Sequence, residues 1–225
     1  MVVVVNDERL LELPDSLDWA EGSALTVNYL TTYLSLTRVV QVQPGQSALV
    51  CGVTGGVGHA VVQTSKALGA RPIAVVSSAH KARRAIGAGA TAAIDLPSQD
   101  IDKAVGLTDG QGVDLDLDPV GGARFGELLR NARRHGMLVS LGFTGGRQPV
   151  LDLMDLIAAD RHIAGHGLHA DSDENVTPAL KEVGKPAAGG RLRPVIDSRF
   201  ALDDFEDGYT RPASREAIGS IVVEL

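Results

Sequence analysis

Cysteine is almost absent from this chain: Cys51 stands alone among 225 residues. One thiol closes no internal disulfide and builds no multi-cysteine zinc site, so neither a disulfide framework nor metal-dependent folding is expected. Positive charge is also scarce. With 21 Lys and Arg against 28 Asp and Glu, the formal net charge is −7 at pH 7, which speaks against a nucleic-acid partner. No apolar run approaches the roughly 20 residues that span a bilayer. The opening Met-Val-Val-Val-Val leads straight into Asn6, Asp7, Glu8 and Arg9 with no basic stretch before it, so no secretory leader is read. A cytoplasmic protein without a membrane partner is expected. Aromatics make up only 4% of the residues, whereas 26 of the 225 are glycine, well above an average of about 7%. Many tight turns and close backbone approaches are implied.

From about Ser47 to Gly167, short β-branched runs alternate with longer helix-permissive stretches, and Gly, Asp or Pro marks each handover. This is the pattern of consecutive βαβ units. Strands are predicted at Ala48–Gly52, Pro72–Ser77, Ala92–Ile94, Val113–Asp118, Met137–Gly142 and His162–Gly167. Most are continuously apolar, as parallel strands covered on both faces are. Helices are predicted at Val57–Leu68, Ala79–Ile86, Asp100–Val105, Ala123–Arg133 and Leu151–Ala159, with another over Thr26–Val39 leading into the first strand. The expected fold class is therefore α/β: a doubly wound, six-stranded parallel Rossmann sheet with helices on both faces. Residues 1–25 offer one strand-like run, Val2–Val5, a turn at Leu13-Pro14-Asp15 and an acidic helical start. Past Asp171 come a helix over Asn175–Gly184, a loop at Pro186–Gly190, a strand over Val195–Phe200, a short acidic helix over Leu202–Tyr209 and a last strand at Ser220–Glu224.

The strongest local feature is ALVCGVTGGVGHAVVQTSKALGA, in which Gly52, Gly55, Gly56 and Gly58 sit between the first strand and its helix. A Cβ there would block the tight turn and hold a diphosphate away from the N–H groups at the helix start, whose partial positive charge favours an anion. No Gly-Lys-Ser/Thr follows, which disfavours a P-loop. None of Tyr29, Tyr33 and Tyr209 has a lysine four residues on, which disfavours a short-chain dehydrogenase. About 20 residues beyond the glycines, where an acidic side chain would accept bonds from the ribose of NAD, stand Ser77 and Ser78, followed by Lys81, Arg83 and Arg84. Hydroxyls and a cation suit the dianionic 2′-phosphate of NADPH, whereas an aspartate would repel it. The alternative is a plain helix start capped by Ser78 with solvated basic residues behind it.

These residues resemble the medium-chain dehydrogenase/reductase superfamily, and within it the zinc-free quinone oxidoreductases. The likeness is carried by LTVNYLTTYLSL, the glycine segment, GAGATAAIDL, GQGVDLDLDPVGG, HGMLVSLGFTGG, GGRLRPVIDSRFALDDFEDGY and AIGSIVVEL, which run in family order over nearly the whole chain. The resemblance implies that the diphosphate lies on Thr54, Gly55, Gly56 and Val57, and the 2′-phosphate at Ser77, Ser78 and Lys81. Ribose and nicotinamide would lie near Gly121, Gly122, Leu141, Gly142 and Phe143, with Thr31 near the carboxamide. It further implies hydride transfer from NADPH to a small-molecule quinone or α,β-unsaturated carbonyl, with the cofactor supplying the chemistry and no protein acid–base dyad. No catalytic residue is assigned.

Zinc-dependent relatives carry a cysteine in the segment matching Thr26–Thr32, and this chain has none. In RHIAGHGLH, a strand would put His162 and His166 on one face and His169 on the other, which argues against a metal site. The same strand is where subunits of the family pair, so a homodimer is implied. Family members begin with a GroES-like substrate domain, and this sequence starts near that domain's end. The implied division is 1–25 and 169–225 as parts of a β-rich substrate domain, around a dinucleotide-binding unit over 26–168. A protein that binds NADPH without turnover stays open as the alternative.

Overall fold

In the computed structural model, residues 10–214 and 216–225 are described; the strand expected over Val2–Val5 lies outside them. The first helix, α1 (Trp19–Leu34), starts well before the expected Thr26. The reason is a capping box: Asp18 Oδ1 accepts from the N–H of Glu21 at 2.8 Å and Glu21 Oε2 accepts from the N–H of Asp18 at 3.0 Å, satisfying two donors that a helix start leaves open. The helix then widens into a π turn over Ser35–Val39.

The expected doubly wound sheet follows. Strands β1 (Ser47–Val50), β2 (Arg71–Val76), β3 (Ala92–Asp95), β4 (Val113–Asp118), β5 (Ala132–Ser140) and β6 (His162–Gly165) lie in the order β3-β2-β1-β4-β5-β6, all parallel. One face packs Ala48, Val50 and Ala74 under helices α2 (Gly56–Ala67) and α3 (Ala79–Ala88). The other packs Leu49, Ile73 and Leu138 under α4 (Lys103–Gly106) and α5 (Phe125–Asn131), with α6 (Leu153–Ile157) at its margin. Because strand order reverses between β1 and β4, their carboxyl ends open a crevice, where ligands of such sheets bind.

Several boundaries differ from the sequence reading. Strand β5 begins at Ala132, not Met137, because Ala132 pairs with Val113 before the chain kinks at His135 (φ 61°) and resumes with Met137 opposite Leu115. That shortens α5. Helix α7 (Asp173–Ala188) runs through Pro186, which was expected to open a loop. Burial of Val183 and Ala187 with Leu25, Leu30 and Leu34 of α1 outweighs the missing N–H. A separate parallel pair, β7 (Ile196–Ala201) and β8 (Ser220–Glu224), flanks the short α8 (Phe205–Thr210). No described helix is long and apolar enough to cross a membrane.

Candidate cofactor-binding site

The turn from β1 to α2 lies at the crevice. Its glycines serve different ends. Gly52 is left-handed (φ 59°), and a Cβ on Gly58 would stand 2.1 Å from the Gly52 carbonyl oxygen, so both belong to the turn's own packing. Gly55 has an ordinary extended backbone (φ −83°, ψ 167°) and is exposed; a Cβ there would meet nothing nearer than 3.5 Å. It is the N-cap of α2 and supplies no side-chain bond. No Gly55 side chain therefore takes up the first N–H groups of that helix, as an anion-binding helix start requires. A Cβ on Gly56 would meet Asn28 Nδ2 at 2.7 Å and Ser220 Oγ at 2.9 Å, which also bond each other at 3.2 Å. Thr54 is held from behind by the Gly219 N–H, which donates to its carbonyl at 2.7 Å. Asn28 and Ser220 are neighbours that sequence reasoning missed, since nothing in their local pattern places α1 and β8 beside the turn.

At the end of β2, Ser77 is exposed and Ser78 caps α3, its Oγ accepting from the Lys81 N–H at 3.3 Å. The Ser78 proton stays available for donation. Gly121 and Gly122, both left-handed (φ 70° and 76°), pack on the loop after β5: added Cβ atoms would meet the Gly146 and Gly145 carbonyl oxygens at 2.9 and 2.2 Å. Asp118 accepts from the N–H groups of Val120 and Gly121 at 2.9 and 3.0 Å; burial pushes its carboxyl up, while those bonds pull it back. Gly142 lies against the Pro119 carbonyl, Leu141 is half-buried, and Phe143 is 63% exposed with the Arg147 guanidinium 5.2 Å from its ring centroid. All four groups thus sit at strand carboxyl ends. Thr31 is buried on α1, with its hydroxyl donating to the Val27 carbonyl at 2.7 Å.

One cluster was not foreseen. The side chain of His166 is 9% exposed and lies between Ser35 Oγ (2.7 Å from Nδ1) and Asp171 Oδ2 (2.7 Å from Nε2). Ser35 also donates to the Thr31 carbonyl at 2.6 Å, and Arg38 pairs with Asp171. Ser35 is fully buried, so this chain of bonds joins α1 to the segment after β6 and offers no nucleophile. Only the spacing within RHIAGHGLHAD hinted at it.

Among the described residues, Cys51, His166 and His59 do not make a ligand set for a zinc ion. Cys51 is buried and its thiol is pushed up by burial and then by Asp118 and Asp116, the opposite of a metal-binding thiolate. His166 is committed as above, and His59 Nε2 lies 3.0 Å from Gln63 Nε2, with burial and then Arg84 depressing it to about 4.

A family model described as zinc-binding dehydrogenase matches residues 56–183. The quinone oxidoreductase of Pseudomonas aeruginosa is 31% identical over 98% of this chain and 69% of its own. The crystal structure of the Pseudomonas syringae pv. tomato DC3000 quinone oxidoreductase superimposes with a TM-score of 0.87 at 30% identity, covering 97% of this chain and 69% of that one. The Escherichia coli quinone oxidoreductase complexed with NADPH gives 0.86 at 26% identity, covering 94% and 67%. Other relatives are longer, and the chain spans 62% of a quinone oxidoreductase-like protein 2 homolog from Nematostella vectensis. The chain belongs to the medium-chain dehydrogenase/reductase superfamily, in its quinone oxidoreductase-like family.

Proposed function

We propose that this chain is a zinc-independent oxidoreductase that uses NADPH to reduce a quinone or an α,β-unsaturated carbonyl. The observation that carries the reading is the uncapped start of α2, with Gly55 open to solvent at the crevice of a parallel sheet. NADPH, when bound, supplies the hydride. The chain's part is to bind and orient. The N–H groups at Gly56 and Val57 hold the diphosphate beside Thr54 and Gly55. Ser77, Ser78 and Lys81 take the 2′-phosphate, and Gly121, Gly122, Leu141, Gly142 and Phe143 border ribose and nicotinamide. The Thr31 hydroxyl donates to the Val27 carbonyl and keeps its lone pairs to accept from the carboxamide N–H groups.

Zinc independence is supported by the donor set of Cys51, His59 and His166. The division at 26–168, a cytoplasmic location and a homodimer belong to the same reading. The homodimer is supported by β6, an end strand of the sheet.

The test is a calorimetric titration with NADPH and NADH, followed by addition of 1,4-benzoquinone with absorbance read at the reduced-nicotinamide band. Preferential NADPH binding with oxidation above the uncatalysed rate is expected. Lys81→Ala should weaken NADPH by about 1–3 kcal/mol, the scale of a charge-assisted hydrogen bond, and leave NADH unchanged. Equal losses for both would remove the specificity argument. Binding without turnover would make the chain a nucleotide-binding protein, and no binding of either nucleotide overturns the reading.

A further inference from the structure

Behind the glycine turn, a cavity of about 600 Å³ lies between α2, α3 and the segment leading into β7. Such a volume suits a small metabolite. Four arginines line it, Arg83 and Arg84 from α3 and Arg193 and Arg199 from the C-terminal segment, against a single carboxylate, Glu21. The C-terminal pair is neutralised: Arg193 Nε bonds Glu21 at 2.7 Å, and Arg199 pairs with Asp18 and with Glu224. Among the described residues, no carboxylate pairs with Arg83 or Arg84. In a chain of net charge −7, two guanidinium groups without a carboxylate partner, from successive residues lining one concavity, run against the overall charge. His59 adds no positive charge, because its imidazole is held neutral by burial and by Arg84. The opposite wall is apolar, made by Val195, Ile196 and Ile218.

We propose that this cavity binds a small organic phosphate, with Arg83 and Arg84 gripping the phosphoryl oxygens and Val195 and Ile196 against the organic body. Guanidinium groups match phosphate oxygens with paired N–H donors, which a carboxylate-rich wall would repel. The cavity is distinct from the cofactor rim. Of the residues assigned to NADPH it shares only Thr54, and neither Gly55, Ser77, Ser78 nor Lys81 lines it. It therefore goes beyond the oxidoreductase reading and stands or falls separately.

The test titrates the whole chain with phenyl phosphate by calorimetry, without NADPH and at saturating NADPH, beside the Arg83→Gln/Arg84→Gln double variant and Gly55→Val. Both arginines are exposed, so the double variant should fold normally. Saturable binding is expected, weakened at least about tenfold in the double variant and unchanged within about twofold by NADPH or by Gly55→Val. Inorganic phosphate should bind more weakly, because it lacks a body for the apolar wall. No binding at millimolar phenyl phosphate, equal affinity in the double variant, or competition with NADPH would each overturn the proposal; competition would make the cavity part of the cofactor site.

Discussion

At the scale of single residues, one methyl group separates two uses of glycine. Gly58→Ala would drive a Cβ to 2.1 Å from a backbone oxygen and should cost at least about 1–3 kcal/mol, as overpacking does. Gly55→Val has room and an ordinary backbone, so it should fold with an unchanged urea midpoint yet lose NADPH binding. Urea unfolding and calorimetry on the two variants test this; a Gly55→Val chain that fails to fold would make that glycine a packing device. The loop was legible in the sequence because glycines between a strand and a helix have few other reasons to cluster. The division of labour among them was not, since it depends on which atoms stand opposite.

Asp116 was equally illegible. In the DLDLD run of β4, Asp114 accepts from Ser47 and Arg133, and Asp118 accepts from the turn. Asp116, fully buried between Leu49 and Leu138, finds no hydrogen-bond partner. Burial, and then Asp118, pushes its carboxyl well above the usual carboxylate range. The folded state then holds a proton that the unfolded chain releases near pH 4. Stability is fully present below that pH and falls as pH rises toward the folded value. Asp116→Val should remove the dependence, so its stabilisation, about 1–3 kcal/mol where the acid would ionise, should be larger at pH 8 than at pH 4.5 in urea titrations. A gain equal at both pH values would refute the account.

At the scale of elements, most strands are readable because sheets buried on both faces demand continuous apolar runs, whereas β4, with its alternating aspartates, and the exposed β6 break that rule. Helix ends are less readable. Asp18 and Glu21 form a capping box that makes the acidic helical start within residues 1–25 and the helix expected from Thr26 one continuous helix; Pro186 suggests a stop, although the buried stripe of α7 carries the helix past it. The bond chain Ser35–His166–Asp171–Arg38 ties two elements far apart in sequence, and no local pattern announces it. Burial works to raise Asp171, but hydrogen bonds and charge from His166 and then Arg38 outweigh it and hold the carboxylate below its usual value. Its contribution is therefore present above about pH 4 and lost as pH falls through the lowered folded value. Asp171→Asn should cost about 1–3 kcal/mol at pH 7, and the gap to the parent chain should close on acidification below pH 4. A cost that persists at pH 2.5 would show that the carboxylate's charge is not what matters.

At the scale of the whole molecule, the sheet ends at β6, one edge of which pairs with no strand among the described residues, and exposed apolar side chains gather beside it. Ile163 on that strand is 40% exposed, and Leu153, Met154 and Ile157 on α6 are each above 60%. An open edge beside apolar surface is a template for pairing. A second copy meeting it about a two-fold axis would present the same patch to itself and continue the sheet. The doubly charged variant Ile157→Asp/Ile163→Lys should therefore shift the chain from dimer to monomer in sedimentation equilibrium. Its NADPH affinity should stay within about twofold, because the diphosphate turn follows β1, which β4 and β5 separate from β6. A parent chain that sediments as a monomer, or a variant that stays dimeric, would place the assembly surface elsewhere or remove it.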